Sequence, residues 1–448
     1  MTSIPELASL QNRMNGRFRC SENEELRSSD SPDCLFHLEW LHDYAGGTDR
    51  YLIKNIQSNE FICQKSGTRG SEATRWKIEP TGEGGYTIQD ADSGDYLSSD
   101  ASGRHRGTPG RAEYWTIHSK DPASQISCWM TQNWDSLKSQ RLDQICLPGS
   151  HDSGTYEEAT ETTYGSVRNT RTQLFDMGLQ LKHGVRVFDL RPTIYKGDFH
   201  TVHYSDLAVV GYQGAVGVSL RNAFAAIELF VENDAHKNEL IILNFSHFIN
   251  WDRRDRQPEF THEEKEAFND LVQLHFSKIL VCGAPDALRT STLEGLMTPN
   301  TDRKNVIAVS TSFEPGEPRT RSGLWHASYF STRGKFSDTD ELHSMKFKQQ
   351  EQLLQLRGYP RGQHGHFMFK LYWTLTLSNW DNAVKGSTSI LELAEYANPD
   401  LLPTFTKWMN DDVITREHYP NVIITDACEE SVTHAVDLSL RTCRLLGP

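Results

Sequence analysis

The chain has 448 residues, with 46 Lys and Arg against 60 Asp and Glu, for a net charge of −14. At 37% apolar and 10% aromatic it carries the side chains of a packed core, which excludes a disordered polymer. The acidic balance argues against nucleic acid as a partner, because such binding needs a basic face that displaces counterions. It also argues against simple electrostatic docking on anionic lipid.

The length predicts two or three domains, or a small domain beside a large barrel. No apolar run reaches about 18 residues, so no transmembrane helix is predicted. The start, MTSIPELASLQNRMNGRFRC, lacks the apolar stretch of a secretory signal. Eight cysteines without a C-x-x-C pair predict buried thiols and no zinc site. The expected location is therefore cytoplasmic, with peripheral membrane contact.

Three stretches in residues 1–120 echo one another. Each pairs a polar turn cluster with an aromatic (Phe18, Phe61 or Tyr96) and ends in a short alternating strand: Phe36-His37-Leu38, Trp76-Lys77-Ile78 or Trp115-Thr116-Ile117. Such repeats cannot bury their apolar faces singly and predict a closed all-β unit. The segment resembles a β-trefoil of the ricin B type, which implies a glycan as a candidate ligand. The Gln of the usual Q-x-W motif is missing before Trp76 and Trp115, so core tryptophans are the competing reading. Residues 121–127 are expected as a linker to a second domain over 128–448.

In that domain short β-branched runs alternate with helical stretches. The predicted strands are 144–149, 186–191, 200–205, 240–247, 305–311, 367–373 and 421–427. Their nearly continuous apolar character suits a parallel sheet buried on both faces. Helices are expected over 171–183, with Leu174, Met177 and Leu181 on one face, over 219–233, with Leu220, Phe224, Ile227 and Val231, and within 386–410. The fold class is α/β, a (β/α) TIM-type barrel preceded by the trefoil.

Chemistry in such barrels sits where strands end. The first strand runs into LPGSHDSGTY, with His151 and Asp152; the second ends in FDLRP, with Asp189 and Arg191 on one side of the strand. The third carries His200 and His203, and the last ends at Asp426. Together with HGVRVFDLR, FHTVHYSDL, ELIILNFSH and NVIITDA, these residues resemble the phosphatidylinositol-specific phospholipase C X-domain superfamily in its bacterial-type, metal-independent branch. The likeness covers about residues 126–440.

The resemblance implies that His151 is the base for the headgroup 2-hydroxyl and His203 the acid for the diacylglycerol oxygen. Two rings titrating near neutrality suit that exchange. It further implies that Arg191 grips the phosphate oxygens, Asp426 holds His151, Asp152 supports the leaving-group side and Asp189 orients Arg191. His200 is the rival to His203, but on a strand it faces the other way. No cofactor or metal is expected, because Arg191 stands where calcium-dependent members place a carboxylate. Calcium needs six to eight oxygens.

For the headgroup, Ser246, His247, Thr311 and Ser312 stand where basic residues are expected. His247, Tyr372 and Trp373 are the candidate substrate contacts. The run DLAVVGYQGAVGV (206–218) is either an apolar rim that meets lipid, with Tyr212 at its centre, or a buried connection. The expected function is a phospholipase C-type phosphodiesterase acting on phospholipid at a membrane surface. It would release diacylglycerol and a cyclic headgroup phosphate. A glycan- or partner-binding protein with an inert barrel is the alternative, and a metal-dependent glycerophosphodiesterase the third reading.

Overall fold

The computed structural model describes residues 126–446 apart from 208–209, 285, 299–302, 314–321, 330–331, 356–367 and 378–387. Of the first 125 it describes 7–12, 18–19, 26–27, 35–41, 50–55, 74–81, 86–98, 104–105, 107–109 and 114–119. The chain divides into two compact units, Met1–Gln125 and Ile126–Pro448. Residues 121–125 of the predicted linker, and Phe61 of the second repeat, lie outside the described residues.

The first unit contains β1 (Leu7–Asn12), β2 (Phe18–Arg19), β3 (Leu26–Arg27), β4 (Leu35–Leu41), β5 (Arg50–Asn55), β6 (Trp76–Pro80), β7 (Tyr86–Asp90), β8 (Tyr96–Leu97), β9 (Arg104–His105) and β10 (Tyr114–Ser119). Antiparallel pairs β1–β4, β4–β5, β5–β6, β6–β7, β7–β10 and β10–β1 close a ring of six strands. The pairs β2–β3 and β8–β9 extend from it. The three alternating segments read from sequence are β4, β6 and β10. Trp76 and Trp115 are 1% and 0% exposed, and Trp115 Nε1 donates to the Leu97 carbonyl at 3.0 Å. Both tryptophans are core residues, so neither presents a ring face to a sugar.

The second unit has an eight-stranded, wholly parallel sheet built from β11 (Leu147–Ser150), β13 (Val187–Leu190), β17 (Ile241–Phe245), β19 (Val306–Ser310), β20 (Leu324–His326), β21 (Thr332–Arg333), β22 (Met368–Trp373) and β23 (Val422–Thr425). Its order is β20–β19–β17–β13–β11–β23–β22–β21. The end strands β20 and β21 are not bridged among the described residues. Every residue of β19 and β23 is buried, which explains the unbroken apolar runs in their sequence.

Helices cover the sheet as their spacing dictates. Leu220–Glu232 buries Leu220, Phe224, Ile227 and Val231. His262–Phe276 starts at a reciprocal cap: the Glu264 carboxylate accepts from Thr261 N at 2.8 Å and Thr261 Oγ1 accepts from Glu264 N at 3.3 Å. Ile390–Ala397, Leu401–Asn410 and Cys428–Leu446 follow. Among the described residues no helix is long and apolar enough to cross a membrane.

Two expectations need correction. The segment 171–183 is helical only over Met177–Lys182, and Leu174 is 49% exposed. The buried side chains of Thr172 and Gln173 bond to backbone groups of other segments, and such bonds compete with helix formation. The run 200–205 is not a strand of the parallel sheet. It belongs to β15 (Asp198–Leu207), in a separate sheet with β12 (Thr160–Glu161), β14 (Pro192–Tyr195), β16 (Gly211–Ser219) and β18 (Ile249–Asn250), ordered β12–β16–β15–β14–β18. The Gly-rich run read as rim or connection is largely strand β16, which pairs antiparallel with β15. A Cβ on Gly214 would overlap the His203 carbonyl, so only glycine permits this approach.

At the edge where strands begin, Arg186 and Glu239 form a fully buried ion pair, Nη2 to Oε2 2.5 Å. Arg186 also donates to the Ser127, Leu181 and Val185 carbonyls, while Glu239 accepts from Met130 N and Thr131 N. This network ties the unit's first turns to the roots of β13 and β17. Glu239→Gln leaves the guanidinium without its countercharge and is expected to cost about 3–5 kcal/mol. Urea unfolding followed by tryptophan fluorescence checks this; a loss under about 1 kcal/mol would show that the backbone acceptors suffice.

Candidate active site

The C-terminal ends of β11, β13, β17, β22 and β23 and the middle of β15 supply one polar cluster. His151 and Asp152 leave β11 on a turn in which Asp152 adopts φ +40°, in the left-handed region that a non-glycine residue seldom enters. That bend sets the carboxylate of Asp152 between three cations or potential cations. Arg191 Nε lies 2.5 Å from Asp152 Oδ1, His203 Nε2 3.5 Å from Oδ2, and His151 Nε2 3.7 Å from Oδ2. Arg191 Nη2 lies 3.3 Å from His151 Nε2, and the two imidazole centroids are 6.4 Å apart at 70°.

Each ring is fixed from behind. His151 Nδ1 bonds Asp426 Oδ1 at 2.8 Å, and His203 Nδ1 bonds the Thr170 carbonyl at 2.9 Å. A carbonyl accepts only, so His203 Nδ1 carries a hydrogen and its Nε2 faces the cluster. The His151, Arg191 and His203 side chains keep 16–18% of their surface exposed, whereas those of Asp152 and Asp426 keep 0% and 3%. Proton-carrying groups thus meet solvent while the carboxylates lie beneath them.

The electrostatics separate the two rings. Burial alone would push the His151 imidazole down, but the Asp152 and Asp426 carboxylates outweigh it and hold the pKa at about 9. For His203 burial wins; Asp152 pulls upward, Arg191 opposes it, and the pKa lies below the ordinary histidine value. Near neutrality these shifts favour an imidazolium at His151 and a neutral ring at His203, whose one hydrogen is on Nδ1. This is the reverse of the starting state that the base and acid roles read from sequence require.

The remaining candidates are distributed as follows. Asp189 does not orient Arg191 by contact: it accepts from Asn244 Nδ2 at 3.3 Å, and the partner of Arg191 is Asp152. Burial would raise the Asp189 carboxyl, but Arg191, Lys370 and the neighbouring histidines bring it below the usual range. His200 faces away, with Nδ1 on the Gly217 carbonyl and its ring against Tyr195, and a bulge interrupts the β15–β16 register between His200 and Val202. His247 is exposed at φ +57° and bonds Ser246 Oγ at 2.8 Å. Burial and Arg191 lower its pKa, which sets it near the cluster.

Alternation along β22 separates Tyr372 from Trp373. Burial and Asp189 raise the Tyr372 hydroxyl, with Arg191 opposing, so this side chain faces the cluster. Trp373 is a correction: it is 1% exposed, donates Nε1 to the Ala397 carbonyl at 3.0 Å and packs on Trp408. Ser312 is likewise internal, with Oγ on Asn269. One residue escaped the sequence reading. Lys370 is 7% exposed, two positions before Tyr372 and so on the same face, and interacts with Asp189. A single basic residue inside the apolar run FMFKLYW was the available signal.

His151, Asp152 and Asp189 each offer a ligand atom within 4.8 Å of the others, a spacing that fits a cation. The Arg191 guanidinium already rests on Asp152. The cluster can grip a phosphate through Arg191 and exchange protons through two imidazoles.

No family model matches the chain. Among curated proteins it is 32% identical to a PI-PLC X-box domain-containing protein of Dictyostelium discoideum over 145 residues, 29% of this chain and 18% of the relative. It is 28% identical to PI-PLC X domain-containing protein 2 of Mus musculus over 28% of this chain and 40% of the relative. It is 22% identical to the variant-surface-glycoprotein phospholipase C of Trypanosoma cruzi over 31% of this chain and 42% of the relative. The matches thus span less than half the length of these relatives. Among solved structures, a phosphatidylinositol-specific phospholipase C from Staphylococcus aureus aligns over 71% of this chain and 99% of its own, at 17% identity and a TM-score of 0.47.

Proposed function

We propose that this chain, a member of the phosphatidylinositol-specific phospholipase C X-domain superfamily, is a phosphodiesterase that cleaves a phosphoinositide-like phospholipid at a membrane surface. The observation that carries the reading is the convergence of Arg191, His151 and His203 on one buried carboxylate, Asp152.

In this reading the Arg191 guanidinium holds the non-bridging phosphate oxygens and offsets the charge that grows on them. It does so as a fixed cation, so no metal is required. His151 Nε2 removes the proton from the attacking 2-hydroxyl of the headgroup. Asp426 on Nδ1 keeps the reactive nitrogen directed outward and stabilises the imidazolium that results. His203 Nε2 delivers a proton to the departing diacylglycerol oxygen. Attack by an internal hydroxyl closes a cyclic phosphate, which water later opens. Tyr372, His247 and Lys370, with Asp189, stand where the headgroup would lie.

The parallel sheet is read as the body of a (β/α) barrel and the six-strand ring of the first unit as a trefoil. Closure of that ring and its two short flanking strand pairs support the second assignment.

Phosphorus NMR of products from a panel of phospholipid vesicles tests the activity. Diacylglycerol release with a transient cyclic phosphate resonance is expected, undiminished by chelator. A non-cyclic phosphate as first product would remove the internal nucleophile, and loss of turnover on adding chelator would reinstate a metal.

A further inference from the structure

Three residues of one short segment, Thr170, Thr172 and Gln173, touch the backbone or side chain of both histidines assigned to proton transfer, while Arg171 between them pairs with Glu158. The Thr170 carbonyl accepts from His203 Nδ1 at 2.9 Å. Thr172 Oγ1 lies 3.1 Å from the His151 carbonyl and 3.0 Å from that of Asp152, and the Thr172 carbonyl accepts from Ala427 N at 2.7 Å. Gln173 Nε2 donates to the His151 carbonyl at 2.8 Å and to the Thr425 carbonyl at 3.1 Å, while its Oε1 accepts from Cys428 N at 3.1 Å. Thr172 and Gln173 are both 0% exposed.

These partners are not arbitrary buried carbonyls. His151 and Asp152 leave β11, and Thr425 to Cys428 leave β23 on either side of Asp426. The last direct rung between them runs from His151 N to the Thr425 carbonyl at 3.0 Å; past it the chains turn through two strained residues, Asp152 at φ +40° and Ala427 at φ +42°. Beyond that point the His151–Asp426 hydrogen bond depends on other groups to hold the two departing chains together. The Gln173 amide spans them with three hydrogen bonds. Asn398 holds only the β23 exit, donating to the Asp426 and Ala427 carbonyls at 3.1 and 3.2 Å, so the link to the β11 exit is left to Gln173 and Thr172.

We propose that Thr170–Gln173 is a positioning strap: it sets the distance between the His151–Asp426 pair and His203, so that both rings face one phosphodiester at once. None of its residues touches substrate. The inference rests on the reading of His151 and His203 as the proton-transfer pair, and it names residues that act through them. A displacement of about 1 Å at reacting groups costs about a hundredfold in rate. The strap therefore acts on kcat far more than on KM.

The test uses the full chain and the variants Gln173→Met, Thr172→Val and Thr172→Ser. Gln173→Met and Thr172→Val are expected to lower kcat by about ten- to a hundredfold with KM within about twofold, while Thr172→Ser, which keeps the hydroxyl, stays near wild type. In proton NMR the downfield Nδ1–H of His151, bonded to Asp426, should broaden or vanish in Gln173→Met and persist in Thr172→Ser. Unchanged kcat in folded Gln173→Met, or an Nδ1–H signal identical to wild type, overturns the strap. A loss of activity in proportion to the unfolded fraction, equal for Thr172→Val and Thr172→Ser, does so too. The NMR arm needs no turnover, so a wild-type protein inactive on every diester tried would sink the catalytic reading and leave the strap to be judged on that signal.

Discussion

Arg191→Ala is expected to lower kcat by about 10³- to 10⁵-fold, the range over which an arginine supports charge on a phosphoryl group. Arg191→Lys should fall by about 10²- to 10³-fold, as when one directed donor is lost from a developing oxyanion. The lysine keeps the charge but presents a single ammonium, whereas the guanidinium here sets Nε beside the Asp152 carboxylate and Nη2 beside His151. Initial rates by phosphorus NMR on the best lipid of the panel measure both variants. If Arg191→Lys turned over within tenfold of wild type, simple charge at that spot would be enough and the fork geometry would have no role. Asp152→Asn gives the companion result: the guanidinium loses its anchor, so KM should rise along with the fall in kcat.

The second large effect separates the two histidines. His151→Ala and His203→Ala should each lose about 10²- to 10⁴-fold on a natural lipid, the usual worth of a general acid or base. A diester with an activated phenol or thiol as leaving group needs no protonation on departure. On it His203→Ala should recover to within a few-fold of wild type, and His151→Ala should not. The same substrate exposes the base alone in the pH profile. A base works unprotonated, and His151 is held up at about 9 by Asp152 and Asp426 against its burial. Its kcat/KM should therefore climb with pH, tenfold per unit, and level off near 9. Asp426→Asn removes one raising charge and should move that limb to lower pH. A limb below the ordinary histidine value would give the base role to His203, whose pKa burial depresses.

In the proposed mechanism both ionisations count on a natural lipid, and the competent state has the proton moved from His151 to His203. The raised His151 and lowered His203 disfavour that state in the free protein, so a low plateau of the bell is expected. Asp152 faces Nε2 of both rings, at 3.7 and 3.5 Å, and serves as countercharge wherever the proton resides.

Parts of this arrangement were legible in the sequence for definite reasons. β19 and β23 are buried throughout and left unbroken apolar runs. The helix Leu220–Glu232 buries a stripe at helical spacing, and that spacing appears in the letters. His151 and Arg191 were visible because strand ends in a sheet of this type gather polar residues, whereas His203, in the middle of β15, was reached only through the family resemblance. What stayed hidden depends on contacts between distant segments. β16 is Gly-rich because Gly214 lies against the His203 carbonyl, and composition alone makes such a run look like a loop. The pairing of Asp152 with Arg191 follows from a positive φ that no residue pattern announces. Thr172 and Gln173 act through backbone partners, so their side chains resemble ordinary surface polar residues in the sequence. Trp373 misled because neighbours on a strand point to opposite faces, and only the register decides which face is the core.

His203 comes from β15, outside the parallel sheet that carries His151, Arg191 and Asp426. Of β15 only Thr201 and Val202 are fully buried. Yet β15 is the central strand of its own sheet, paired on both sides with β14 and β16, and Val202 packs with Val216, Ile249 and Trp251. The second imidazole is therefore carried by a separately built layer, and that small apolar cluster, rather than the core of the parallel sheet, governs how firmly the ring is held.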